Sequence, residues 1–141
     1  IFSCCYISAK LNLPSMKTKY TLTILGVYNI LFGLMAMFAS TTMAGAFVNS
    51  KNLDVIRMGE LFHIGLGHAI FLVGLILMVA RNAELAAAKN IILAYIVGIA
   101  ILFYIFFGIM AHEPLILFSA TYVVPDVLFF GVAVLGYFKA N

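Results

Sequence analysis

The sequence is poor in charged residues, and this scarcity excludes an ordinary water-soluble domain. Of the 141 residues, 9% are charged and 65% are hydrophobic, and the mean hydropathy is +1.17. A soluble domain typically has about 25% charged and roughly 45–50% apolar residues. The solvent that suits this composition is lipid, so the length of the chain is better counted in membrane spans than in domain cores.

The sequence has few cysteines and lacks the short motifs of several enzyme classes. The two cysteines, Cys4 and Cys5, are adjacent, so they form no CxxC motif and predict neither a thiol–disulfide centre nor a metal site. No HExxH, Walker or GxSxG motif occurs. We therefore predict no metal and no resident cofactor, and we favour a non-catalytic role without excluding an enzyme.

Four long apolar runs are present, covering residues 20–40, 61–80, 91–111 and 115–138. A helical span needs about 20 apolar residues, and runs that are continuous rather than alternating indicate helices. Backbone groups in lipid must find their hydrogen bonds within the protein. The sequence therefore predicts an all-α integral membrane four-helix bundle with up-down topology.

Lysine and arginine are distributed unequally between the two sides of such a bundle. Six of the eight lie on one side, and the first connection has the other two. The six are Lys10, Lys17, Lys19, Arg81, Lys89 and Lys139. Because basic connections stay in the cytoplasm, we expect both termini to be cytoplasmic. No basic cluster accompanies aromatic residues on a soluble face, so we expect no nucleic-acid partner.

The first fifteen residues differ from the rest of the chain. Met16 is followed by "KTKY" and then by the first apolar run, which is how a membrane protein of this size would begin. We interpret residues 1–15 as a disordered or non-native extension, either translated upstream sequence or an expression artefact. Residues 16–141 then form the four-span membrane domain.

Polar residues inside the runs are the candidates for function. Asp126 lies within the fourth run, where a carboxylate costs about 2.5–3.5 kcal/mol. Asn29 and His68 lie near the middle of the first and second runs, and Tyr122 shares a helical face with Asp126. We predict a polar midplane layer of these four residues, in which His68 pairs with Asp126. Alternatively, Asp126 is protonated, because a low dielectric disfavours its charge.

Two interpretations of the midplane layer stay open, besides the chance that the residues never meet. It is either a polar clasp that sets the register of the helices or a proton-linked or ligand-binding site.

A second polar set lies near the membrane surface opposite the termini: Glu60, His63, His112 and Glu113. We interpret these as headgroup-level residues. Haem ligation by two histidines or zinc binding by the set is the less favoured alternative.

Three stretches carry a family resemblance: "LGVYNILFGLMAMFAS", "GELFHIGLGHAIFLVGLILMVARNAE" and "GVAVLGYF". Over residues 16–138 the chain resembles the uncharacterised small four-helix bacterial membrane proteins of the DoxX-like kind. Some DoxX-like proteins are membrane subunits of quinone-linked oxidoreductases. The resemblance implies a multi-pass protein of the bacterial inner membrane and an accessory, redox-linked role. It transfers no catalytic residue.

We therefore expect an accessory or non-catalytic subunit of a membrane complex, in contact with the lipid bilayer and a membrane protein partner. One alternative is a proton-coupled carrier or channel that acts as a homo-oligomer, with Asp126 as its titrating group. Another is an enzyme that processes a lipid or a quinone within the bundle.

Overall fold

The structure is a computed structural model that describes residues 16–140, and this part of the chain is helical apart from short connections. Residues 1–15, which include Cys4 and Cys5, lie outside the described residues, so the prediction of a disordered or non-native extension stays a prediction. The five α-helices are α1 (Met16–Phe38), α2 (Ser40–Phe47), α3 (Leu53–Ala80), α4 (Leu85–Tyr104) and α5 (Val124–Phe138). A π-helical turn, Ile105–Ile109, and a 3₁₀ turn, Met110–His112, continue α4, and a 3₁₀ turn, Ala120–Val123, precedes α5.

Four helical segments of the described chain are long and apolar enough to cross a membrane. They are Thr18–Phe38, Leu53–Ala80, Leu85–His112 and Ala120–Phe138. The prediction of an all-helical protein with four membrane-spanning segments is confirmed at this level. The remaining helix, α2, is too short to span and follows α1 after a break at Ala39.

The fourth helical segment begins at Ala120, five residues later than the apolar run that predicted it. The reason is a pairing of residues 113–119 with the chain that follows α2. The Asn49 N–H donates to the Leu115 carbonyl at 2.8 Å, and the Leu117 N–H donates to the Phe47 carbonyl at 2.8 Å. This short antiparallel contact satisfies backbone groups that a helix would otherwise satisfy.

Pro125 lies in the first turn of α5. The first N–H groups of a helix have no intrahelical acceptor, so a proline there removes no hydrogen bond. Sequence reasoning allowed Pro125 to kink a helix that was already under way. Instead, α5 begins at Val124 and places Asp126 in its first turn.

Helices α1 and α3 pack with their backbones in contact. A Cβ atom on Gly33 would lie 2.6 Å from the Phe71 nitrogen, and one on Gly74 would lie 2.6 Å from the Ile30 nitrogen. Gly26 also faces Gly74, and Gly33 faces Gly67, so the two helices run in opposite directions. Small residues permit such approach, and in lipid the resulting van der Waals contact drives helix association.

The hydrophobic core lies at the end of the bundle where α1 begins. It consists of Leu22, Leu25, Leu77, Ala80, Ala88, Ile92 and Ala133. Helix α1 packs against α3 and α5, and α5 packs against α4, but α3 and α4 make few contacts. The four membrane-spanning segments therefore leave a space between α3 and α4, beyond the core.

Candidate functional site

A cavity of about 900 Å³ occupies the space between the four membrane-spanning segments. Most of its lining is apolar. Helices α3 and α4 supply about half of the lining residues, and the π-helical turn contributes Ile105 and Phe106. Val73 and Ile76 line the cavity and yet are 40% and 62% exposed. The cavity is partly open, and the few contacts between α3 and α4 place the opening between these two helices.

Four polar residues gather where the cavity meets the hydrophobic core, and we call them the polar floor: Tyr28, Asn29, Tyr95 and Asp126. Helix α1 supplies two of them, α4 one and α5 one. They form two hydrogen-bonded pairs that interact electrostatically with each other. The rest of the cavity wall is largely hydrophobic, so most hydrogen-bonding groups of the cavity lie in the polar floor.

Asp126 is accommodated by two features of its surroundings. Tyr28 donates a hydrogen bond of 2.7 Å to its Oδ1 atom, and the ring of Tyr28 is held by stacking on Phe129, with centroids 3.6 Å apart. The carboxyl group also lies in the first turn of α5, where the helix dipole favours an acidic side chain. These interactions offset the cost of placing a carboxyl group in a membrane-spanning segment.

Asn29 joins α1 to α4. Its Nδ2 atom donates to the Leu25 carbonyl at 2.8 Å and to the Tyr95 hydroxyl at 3.0 Å. The Leu25 carbonyl can only accept, so it determines which end of the amide carries the nitrogen. Asn29 itself is buried, with 6% of its surface exposed. The amide is therefore held in one orientation at the base of the cavity.

Sequence reasoning missed both tyrosines of the polar floor. Tyr95 lies near the start of the third apolar run, and Tyr28 immediately precedes Asn29. An inventory that counted tyrosine with the polar residues of each run would have found them, although their partners could not have been read from spacing.

The structure does not bring His68 into the polar floor. His68 is exposed and does not line the cavity, and Tyr28 takes the place beside Asp126 that was predicted for it. The physical reason is the position of Gly67, which contacts Gly33 of α1. Successive residues of a helix point about 100° apart, so His68 turns away from the helix that Gly67 faces.

Tyr122 lines the cavity away from the polar floor. Its hydroxyl donates to the Ala46 carbonyl of α2 at 3.3 Å, and its ring lies 5.9 Å from that of Phe47. Of the four residues predicted for a midplane layer, Asn29 and Asp126 belong to the floor, while Tyr122 connects the start of the fourth span to the short helix that covers the cavity.

The second predicted set does not form a ligand cluster. His63 is buried and lines the cavity, and its Nδ1 atom lies 2.8 Å from the Gly59 carbonyl. Glu60 forms an ion pair with Arg57, whereas His112 and Glu113 are exposed at the end of the third span. Among residues 16–140, no group of three or more His, Cys, Asp or Glu side chains is placed to hold a metal ion.

Comparisons of the chain with family models, with curated proteins and with solved structures found no match. The DoxX-like resemblance stays a prediction. What the fold and the cavity define is a class: an all-helical protein with four candidate membrane spans and an internal, laterally open cavity. Cavities of about 300–1,000 Å³ with mostly apolar walls and a few convergent polar groups are the usual form of small-molecule sites.

Proposed function

We propose that the protein binds a lipid-like amphiphile in its cavity and does so as an accessory subunit of a membrane complex. The observation that carries the proposal is the lateral opening of an apolar cavity that ends on a polar floor. A molecule with a long apolar tail and a small polar head matches both parts. A quinol, the reduced form of a quinone, is one such molecule, so the proposal includes the redox-linked role.

The opening between α3 and α4 supports access from the bilayer. Ala94 and Gly98 of α4 are exposed and line the cavity, and a Cβ atom on Gly98 would meet nothing within 4 Å. These small residues keep the opening wide on the α4 side. A hydrophobic molecule that enters sideways avoids crossing water, which favours a lipid-soluble ligand over a water-soluble one.

The proposal places the chain in a bacterial inner membrane as a DoxX-like protein with up-down topology and cytoplasmic termini. The antiparallel packing of α1 and α3 is consistent with this arrangement. So is the position of Lys19, Arg81 and Lys139, which lie at helix ends on one side of the proposed topology. Basic residues on one side mark the cytoplasmic face.

The test uses two glycines with equal space around them. Gly98 lines the cavity, whereas Gly131 of α5 does not, and a Cβ atom on either residue meets nothing within 4 Å. Gly98→Leu should fill the opening and remove small molecules that copurify with the protein from native membranes in mild detergent. Gly131→Leu should retain them.

Mass spectrometry of the same preparations identifies the bound lipids and any protein that elutes in a fixed ratio. A cavity ligand lost only in Gly98→Leu, together with a stoichiometric partner, supports the proposal. Equal small-molecule content in the two variants would contradict the binding site. A clean homo-oligomer without a partner would contradict the subunit role.

A proton-coupled carrier is the second candidate, and one observation favours it. Among residues 16–140, Asp126 is the only acidic residue that lines the cavity, and no lysine or arginine of this part of the chain accompanies it there. Ionisable groups inside a membrane domain are candidates for proton transfer. In that case the unmodified protein should show pH-dependent substrate flux in proteoliposomes, and Asp126→Asn should abolish it. The accessory-subunit proposal predicts no flux in the unmodified protein or in the variant.

A further inference from the structure

Two neighbouring groups of the polar floor each retain an unused hydrogen-bonding function. The Tyr95 hydroxyl accepts a hydrogen bond from Asn29 Nδ2, but its own proton has no acceptor among the described residues. The two hydrogen bonds of the Asn29 side chain are both donated by Nδ2, to Leu25 and Tyr95, and no described residue donates to its Oδ1 atom. A free donor and a free acceptor therefore lie side by side.

Both residues belong to the cavity wall. Within the described chain, no side-chain polar atom that is fully buried lacks a partner. Asn29 Oδ1 lacks one, so this oxygen must be accessible even though the residue as a whole is buried. Asn29 and Tyr95 both line the cavity, which makes the cavity the space from which a ligand can reach them.

The pair selects among head groups by their hydrogen-bonding capacity. A hydroxyl group both donates and accepts, so one hydroxyl can satisfy Tyr95 and Asn29 together. A carboxylate only accepts and would leave Asn29 Oδ1 unpaired. An ammonium could pair its charge with Asp126, but it only donates and would still leave the Tyr95 proton unpaired. A buried polar group that loses its partner costs about 1–3 kcal/mol.

The charges around the cavity also disfavour an anionic head group. No lysine or arginine of the described residues lines it, and Asp126 belongs to the floor. His63 also lines the cavity, but its Nδ1 atom lies 2.8 Å from the Gly59 carbonyl of its own helix, away from the polar floor. An anionic head group would enter a low-dielectric space without a counter-ion, which is strongly unfavourable. Phosphate and carboxylate heads are thus disfavoured by electrostatics as well as by hydrogen bonding.

We propose that the cavity recognises a long-chain lipid whose head is an uncharged hydroxyl group, either an alcohol or a phenol. Tyr95 donates to the hydroxyl oxygen, and Asn29 Oδ1 accepts the hydroxyl proton. The apolar chain leaves the cavity between α3 and α4. This inference rests on the proposed function, because it assumes that an amphiphile occupies the cavity, and it adds the chemical class of the head group.

The test compares three photoreactive probes with the same diazirine-bearing chain: a fatty alcohol, a fatty acid and an alkylamine. The full chain in nanodiscs of zwitterionic phospholipid is labelled with each probe, and the modified peptides are identified by mass spectrometry. The alcohol should label cavity residues of α3 and α4 about tenfold more than the other two, the factor expected when one polar group is left unpaired.

A matched pair of variants separates head-group recognition from folding. Tyr95→Phe removes the donor and keeps the ring, so the preference for the alcohol over the amine should collapse to near equality. Tyr122→Phe also removes a hydroxyl from the cavity lining, but one that already donates to Ala46. This control should keep the preference.

Each outcome has a definite meaning. Cavity labelling led by the alcohol, and lost selectively in Tyr95→Phe, supports the inference. Cavity labelling led by the acid or the amine, or equal for all three probes, overturns the head-group assignment and leaves the proposed function standing. Labelling confined to the outer surface for every probe overturns the proposed function itself.

Discussion

The Tyr28 hydroxyl donates a hydrogen bond of 2.7 Å to Asp126, across 98 positions of the chain. This contact joins α1 to α5 beside the stacked rings of Tyr28 and Phe129. It also explains how a carboxyl group is held within a span without a histidine or a basic residue.

The first prediction concerns the energetic coupling of Asp126 with its partner. A double-mutant cycle of Tyr28→Phe and Asp126→Asn should give a coupling of about 0.5–3 kcal/mol in unfolding free energy, as expected for groups in one hydrogen-bonded pair. The measurement is reversible unfolding in detergent. A parallel cycle of His68→Ala and Asp126→Asn should give a coupling near zero, because His68 is exposed and does not line the cavity.

A large His68 coupling together with a negligible Tyr28 coupling would contradict the arrangement described here. It would restore the pairing that was expected from sequence. The cycle is preferable to single variants, since removal of either partner also changes its own solvation.

The second prediction concerns the close packing of α1 and α3. A Cβ atom on Gly67 would lie 2.7 Å from the Gly33 carbonyl oxygen and 2.9 Å from the Met37 nitrogen. Gly67→Ala should therefore force the helices apart and lower the unfolding free energy by about 1–3 kcal/mol. Gly65→Ala, on the same helix with nothing within 4 Å, should change it by less than about 1 kcal/mol.

Thermal unfolding of the two alanine variants, measured side by side in one detergent, provides the comparison. Equal effects of the two substitutions would show that helix propensity, and not interhelical distance, determines the result.

The third prediction concerns the segment that joins the third and fourth spans. The amides of Asn49 and Leu117 donate hydrogen bonds of 2.8 Å across two connections. They should exchange with deuterium more slowly than the amide of the adjacent Lys51, although all three lie outside the helices. Hydrogen-exchange mass spectrometry or NMR measures this directly. Leu117→Pro removes one donor and should accelerate exchange at Asn49, whereas uniform fast exchange in the unmodified protein would rule out the pairing.

The fourth prediction tests the proposed topology. Cys4 and Cys5 are replaced by serine, and single cysteines are then introduced as Ser50→Cys and Asn82→Cys. Position 50 lies in the connection before α3 and position 82 in the turn after it. A membrane-impermeant maleimide applied to intact spheroplasts should label position 50 and spare position 82, which should react only after lysis. The reverse pattern would invert the proposed orientation.

The candidate site shows where prediction from sequence reached its limit. Asn29 and Asp126 were identified because a polar residue in a long apolar run is conspicuous. His68 was equally conspicuous, but it turns outward because the adjacent Gly67 faces α1. Tyr95 was overlooked because a tyrosine is compatible with either a lipid-facing or a buried position. Which of these residues meet depends on the rotation of each helix about its axis, and the glycine contacts between α1 and α3 determine that rotation for one pair.

The amino-acid sequence by itself determined the class of protein: low charge and four long apolar runs are local properties that add along the chain, so they predict membrane-spanning helices without knowledge of packing. Only the tertiary structure decided the hydrogen-bond partners and the cavity. Tyr28 meets Asp126, Asn29 meets Tyr95, and α3 stays apart from α4. Such contacts form within about 3 Å, and they depend on how closely and at what rotation the helices pack, which no single run of residues specifies.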